Sequence, residues 1–155
     1  MRARRPGPGR IHPASAADVR NALRIFGEET YYGVDKVELV PAPPSSNGLP
    51  LGRLAAPGSI LLFDQPRPPW RLGYVLTAKE RERLLEAGAD IAEDGVVYWP
   101  DDTLRRFMLG HVLAHELGHH VLQHKRRLRC ERGARTRDHE ARAEAIATRL
   151  RALLG

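Results

Sequence analysis

The sequence of 155 residues has few of the features expected of a membrane protein or of a protein from an oxidising compartment. No run of apolar residues approaches the roughly 18 that a transmembrane helix needs, so we expect no membrane partner. The first ten residues are basic and lack the apolar segment of a secretory signal. A single cysteine, Cys130, excludes an internal disulfide. These absences together predict a cytoplasmic protein.

The net charge of +6 comes almost entirely from arginine, which is concentrated in residues 1–10 and 125–137. Such basic runs can bind nucleic acid or another acidic partner. The chain has no helix-turn-helix signal, and no aromatic residues alternate with the basic ones as they do in single-strand binders. The composition therefore permits a nucleic-acid partner but favours a solvated arm and a solvated loop.

The length fits one domain, and we predict a disordered basic arm over residues 1–14 followed by a single domain over residues 15–155. Capping sequences at Ser15–Asp18 and Thr77–Glu80 predict helices that end near Gly27 and Gly88. Short apolar or alternating runs predict strands at 34–40, 59–63 and 96–99, and we expect a loop over 41–57. This mixture predicts an α+β fold with a small mixed or antiparallel sheet.

One of the predicted helices carries the pattern H-E-x-x-H as His115, Glu116 and His119. Residues four apart on a helix share a face, so both imidazoles can reach one metal ion, and Glu116 lies beside them. Two histidines, an open coordination position and a carboxylate that can take a proton from water are the parts of a zinc peptidase. Of the seven histidines, this is the only pair with a glutamate directly after its first member, and His111 and His124 are expected to be structural.

The helix is predicted from about Asp102 to His124, with an acidic residue at its start as a cap. Gly118 lies just before the second histidine of the motif. A glycine costs about 1 kcal/mol in a helix relative to alanine. Two explanations stay open for Gly118: the backbone of a second ligand-bearing helix packs there, or the glycine is merely tolerated.

A zinc site with two histidines needs a third protein ligand, and a second helix after residue 136 offers one. Thr136 or Asp138 is its expected cap, and small residues on one face would let it approach the first helix closely. We predict that Glu140 is the third ligand, with His139 as the alternative. Glu144, one turn further on, is predicted to hydrogen-bond the far nitrogen of a ligand histidine.

The segments Leu113–His119 and Glu140–Ala147 together resemble the gluzincin pattern H-E-x-x-H…E-x-x-A-[D/N]-x-x-A. The similarity is to the ImmA/IrrE-type metallopeptidase domain and to the compact minigluzincins, and it extends from about residue 96 to residue 154. It implies a zincin-like domain in which an active-site helix and a C-terminal ligand helix pack on a small sheet. It also implies that His115, His119 and Glu140 bind one Zn²⁺. Glu144 stands where the family usually has Asp or Asn.

This resemblance implies a zinc-dependent endopeptidase in which Glu116 is the general base and acid. It further implies a regulatory protease that acts on one protein, such as a repressor or an antitoxin. The expected partner is a protein or peptide substrate, bound along an edge strand for which Val96–Trp99 is the candidate. That segment is alternatively an ordinary core strand.

The metzincin pattern is excluded because Lys125 stands where its third histidine would be. The alternative function is a non-catalytic zinc-containing or nucleic-acid-binding module.

Overall fold

The computed structural model describes residues 1–44, 49–128 and 137–155 and shows the predicted α+β fold. Its main sheet has four strands in the order β1-β3-β5-β4. They are β1 (Arg2–Ala3), β3 (Lys36–Val40), β5 (Ser59–Phe63) and β4 (Gly52–Ala56). The pairs β1–β3 and β3–β5 are parallel, while β4 runs antiparallel to β5 and forms one edge. The sheet is therefore mixed.

Two small antiparallel pairs and six α-helices complete the described fold. The pairs are β2 (Arg10–Ile11) with β6 (Gln65–Pro66), and β7 (Asp90–Ile91) with β8 (Val97–Tyr98). The first helices are α1 (Ala16–Phe26), α2 (Glu28–Tyr31) and α3 (Ala78–Glu86). A longer helical run begins with α4 (Thr103–Phe107), continues through a π-helical segment (Met108–Leu113) and ends in α5 (Ala114–Leu128). The last helix is α6 (Arg137–Leu153).

The predicted capping sequences form as expected at α1 and α3. The Ser15 hydroxyl accepts from the Asp18 amide and the Asp18 carboxylate accepts from the Ser15 amide. Thr77 and Glu80 form the same reciprocal pair at α3. Each cap satisfies amides that a helix leaves free in its first turn, and an N-cap side chain of this kind contributes about 1 kcal/mol. Both helices therefore start where local sequence places them.

The helical run over 103–128 covers the predicted helix but differs from it in two details. Asp102 stands before α4 but makes no capping hydrogen bond, because its carboxylate instead accepts from Arg105 at 2.7 Å. The π-helical turn directly before Ala114 was not predicted. Turns of this kind are rare and are often found at functional sites.

The hydrophobic core lies between the main sheet and the helical run. Phe107, Leu113 and Leu117 are fully buried, and they share one cluster with Ile60 and Leu62 of β5. Each fully buried side chain of this size contributes about 1.5–3 kcal/mol relative to an exposed one. The core thus fixes the helical run, including the H-E-x-x-H turn, against the sheet. In α6, Leu150 is buried, whereas Leu153 is 57% exposed.

The prediction that residues 1–14 form a disordered arm differs from the structure. β1 pairs with β3, and residues of the arm hydrogen-bond to Asp64, whose side chain is completely buried. The Asp64 carboxylate accepts from the Gly7 amide at 2.8 Å, from the Ala42 amide at 2.9 Å and from Arg10 Nε at 2.7 Å. A buried carboxylate needs such partners, and the arm supplies two of the three. The order of the arm therefore depends on a residue 54 positions away from Arg10 in the sequence.

The loop predicted over residues 41–57 contains a strand, because β4 pairs with β5 from Gly52 to Ala56 with an irregularity between Leu54 and Ala56. Gly52 permits this close packing, since a Cβ at that position would lie 2.8 Å from Val112 Cγ1. The predicted strand 96–99 is present as β8, which pairs with β7 and bridges to Trp70. Trp99 packs edge-on against Trp70, so this segment is built into the core at both of its ends.

Cys130, Thr136 and the greater part of the arginine-rich segment 125–137 lie outside the described residues. Across the described ranges, we find no helix that combines the length and the apolar character needed to cross a membrane.

Candidate metal centre

The candidate centre is formed where α5 packs against α6. Gly118 of α5 faces the backbone of Ala143, and a Cβ added to Gly118 would lie 2.5 Å from the Ala143 carbonyl oxygen. Ala143 and Ala147 are completely buried along this contact. Of the two explanations for Gly118, the structure therefore confirms the first: the backbone of the second helix packs there. This close approach brings the acidic face of α6 to the H-E-x-x-H turn.

Three of the predicted ligands converge at this contact. Nε2 of His115 and Nε2 of His119 are 3.0 Å apart, and the Glu140 carboxylate lies 3.4 Å from the first and 3.2 Å from the second. Donor atoms about 2.0–2.1 Å from a tetrahedral zinc ion are separated by about 3.3–3.4 Å. The three side chains thus offer donor types and separations that could hold a metal ion.

The alternative third ligand, His139, packs against His119. Its ring stacks on the His119 ring with 4.9 Å between centroids and an interplanar angle of 19°, and it is almost completely buried. Glu140 is more accessible than His139, because 59% of the Glu140 side chain is exposed. In the part of the chain that the structure describes, the donor atoms that lie within 4.8 Å of one another belong to His115, His119 and Glu140. The geometry therefore favours Glu140.

Glu144 occupies the predicted supporting position. Its Oε2 is 3.0 Å from Nδ1 of His115, which donates to it and leaves Nε2 free to face Glu140. Its other oxygen, Oε1, accepts from Arg151 at 2.9 Å. Burial alone would raise the pKa of Glu144, but His115 and Arg151 outweigh that effect and hold the pKa below its ordinary value. A carboxylate in this position fixes the tautomer and the orientation of a ligand imidazole.

Glu116 is held by a group that the sequence did not reveal. Its Oε2 accepts from the backbone amide of Leu54, in edge strand β4, at 2.9 Å. Burial raises the pKa of Glu116, and the charge of His115 and the Leu54 amide oppose this rise. The strand beside Glu116 is therefore β4, a segment that we predicted to be a loop, and not the candidate strand Val96–Trp99. Strand pairing is non-local, so no signal within residues 52–56 marks this position.

Two arginines near the centre were also missed. Arg151 lies seven residues, or two helical turns, after Glu144 on the same face of α6, so helical spacing could have indicated it. Arg83 of α3 lies over the Phe107 ring, 5.9 Å from its centroid, and its Nη2 is 3.4 Å from the His111 carbonyl oxygen. Burial lowers the pKa of Arg83, and the carboxylates of Glu144 and Glu116 oppose this effect. The carboxylate of Glu144 therefore interacts electrostatically with both Arg83 and Arg151.

The remaining histidines of the helical run lie outside the donor cluster. His120 donates to the Tyr32 carbonyl oxygen at 2.8 Å, and His124 stacks on His120 and packs edge-on against Tyr32. His111 is buried, and burial together with the nearby arginines lowers its pKa to about 4. It is neutral at physiological pH. Its Nδ1 lies 3.3 Å from Nη1 of Arg151.

No family model matches this chain, and neither a curated protein nor a solved structure matches it.

Proposed function

We propose that the protein is a zinc-dependent endopeptidase. The observation that carries the proposal is the convergence of His115, His119 and Glu140, with Glu116 beside them and a sheet edge above. A purely structural zinc site has no need for a further carboxylate such as Glu116 next to its ligands. The resemblance of residues 113–119 and 140–147 to the gluzincin pattern supports the same class.

The proposed division of labour follows from the positions of the side chains. His115, His119 and Glu140 would hold one zinc ion, and Glu144 keeps the His115 ring in the tautomer that exposes Nε2. When bound, such an ion polarises a carbonyl group and makes water more acidic. Glu116, whose Oε2 accepts from the Leu54 amide, would accept a proton from water and deliver it to the leaving amine.

The proposed substrate is an extended peptide paired with the outer edge of β4. Within the described parts of the chain, β5 is the only strand hydrogen-bonded to β4, so its other edge faces the helix that carries Glu116. An extended segment added to such an edge gains backbone hydrogen bonds and brings its peptide bonds to the centre. By resemblance, the substrate would be one regulatory protein, such as a repressor or an antitoxin, in the cytoplasm.

The direct test of the metal centre is the zinc content of the purified protein. We expect one zinc ion per chain in the wild type and strong loss of zinc in His115→Ala and His119→Ala. His124→Gln is the matched control, because His124 lies on the same helix but outside the donor cluster, and it should keep its zinc. Equal zinc content in all four proteins, or none in the wild type, would overturn the proposed centre.

A further inference from the structure

The carboxylate of Glu144 is engaged at both oxygens, one toward the centre and one away from it. Oε2 accepts from His115 Nδ1 at 3.0 Å, while Oε1 accepts from Arg151 Nη2 at 2.9 Å. The glutamate side chain is long enough to reach both His115 on α5 and Arg151 on its own helix. Aspartate is one methylene shorter, by about 1.5 Å, and would have to give up one of the two bonds.

Arg151 is itself held by a third group. Its second terminal nitrogen, Nη1, is 3.3 Å from Nδ1 of His111, and 24% of its side chain is exposed. His111 is neutral, so its ring nitrogen can accept this hydrogen bond. A planar guanidinium can donate to two acceptors from a fixed fork, which a lysine ammonium cannot reproduce. His111 lies one turn before His115, so the chain of contacts begins and ends on the helical run that carries the ligands.

We propose that Arg151 is a positioning residue of the metal centre: anchored on His111, it fixes the Glu144 carboxylate, which in turn fixes the His115 ring. The inference rests on the proposed zinc centre and extends it to two residues that neither the motif nor the resemblance assigns. It also explains why this chain has Glu at position 144 where the resembled pattern has Asp or Asn. The longer side chain is the one that reaches both His115 and Arg151.

The test is the zinc affinity of single variants, measured by competition with a chelator. Removal of a group that hydrogen-bonds a metal ligand costs about 10–100-fold in affinity, and we expect this loss for Glu144→Ala. Arg151→Met should lose about tenfold, because Glu144 stays in place but its orientation is no longer fixed. Arg149→Met is the matched control, since Arg149 is exposed on the same helix, and it should match the wild type.

A double variant separates positioning from general structural damage. If Arg151 acts through Glu144, Arg151→Met should cause no further loss of zinc affinity in the Glu144→Ala background, because coupled residues are not additive. The visible absorption spectrum of the Co²⁺-loaded protein provides a second readout. It should change in Arg151→Met and stay unchanged in Arg149→Met, whereas loss of stability alone would leave the spectrum of the folded fraction the same.

The zinc affinities of these variants show whether Arg151 positions Glu144. Wild-type affinity in Arg151→Met, or losses that simply add in the double variant, would overturn the role of Arg151 and leave the zinc centre standing. A wild-type protein that binds no zinc would overturn both proposals. If Arg151→Met does not fold, Arg151→Lys decides, because it keeps the charge and loses the fork. A measurable loss of zinc affinity in folded Arg151→Lys supports positioning, and wild-type affinity contradicts it.

Discussion

Gly118→Ala should separate the two helices that form the centre. The new Cβ would lie 2.5 Å from the Ala143 carbonyl oxygen, whereas ordinary contacts begin at 3.4 Å, so α6 must move by about 0.9 Å. Overpacking of this kind costs about 1–3 kcal/mol. The better helix propensity of alanine returns about 1 kcal/mol. The net loss in the free energy of unfolding is therefore small, at about 0–2 kcal/mol.

The effect on metal binding should be larger than the effect on stability. Metal ligands must be held within about 0.5 Å, and a 1 Å displacement can cost about 100-fold in function. We therefore expect zinc affinity to fall by about 10–100-fold, because Glu140 moves with α6 away from both histidines. The assay combines chelator competition for zinc with thermal unfolding in the presence and absence of the ion.

Gly73→Ala is the control for this prediction. A Cβ added to Gly73 would have no heavy atom of a distant residue within 4 Å. It should match the wild type in stability and in zinc affinity. If Gly118→Ala instead binds zinc as the wild type does, the packing at Ala143 does not set the position of Glu140.

Two further predictions concern the third ligand and the N-terminal arm. Glu140→Ala should lower zinc content more than His139→Ala does, and the opposite order would show that His139 is the ligand. For Asp64, burial alone would raise the pKa, but the hydrogen bonds from Gly7, Ala42 and Arg10 outweigh it and lower the pKa. The stabilisation is therefore present above the unfolded pKa of about 3.9 and is lost as the pH falls through the lower folded value. Asp64→Asn should cost about 1–3 kcal/mol at pH 7 and flatten the pH dependence of urea unfolding below pH 5, and an unchanged pH dependence would contradict this account.

Local sequence was sufficient for the features that depend on neighbouring residues. The caps at Ser15 and Thr77 require partners three residues away, and the H-E-x-x-H turn requires only helical spacing. The contact of Gly118 with α6 was one of the two explanations that the sequence left open. In most of these features the interacting groups lie within one or two turns of the same helix. The contact of Gly118 joins two helices, each with a regular spacing of its residues.

The features that sequence did not predict depend on distant partners. The arm of residues 1–14 is ordered because Asp64 accepts from Gly7 and Arg10, more than fifty positions away. β4 is a strand because β5 pairs with it, although residues 52–56 alone have little strand character. Leu54 donates its backbone amide to Glu116. Because every residue except proline has such an amide, the identity of residue 54 does not predict this hydrogen bond. Pairing and backbone contacts of this kind require the fold itself.

Glu116 is proposed to act on water at a zinc centre, and a comparison of the wild type with Glu116→Gln tests this role. Purified wild-type protein and Glu116→Gln are each analysed for zinc and then used in a proteome-wide screen for new protein termini. We expect one zinc ion per chain in both proteins, cleavage by the wild type, and a loss of cleavage of at least about 100-fold in the variant, since glutamine cannot accept the proton. Undiminished cleavage by zinc-loaded Glu116→Gln would contradict the account.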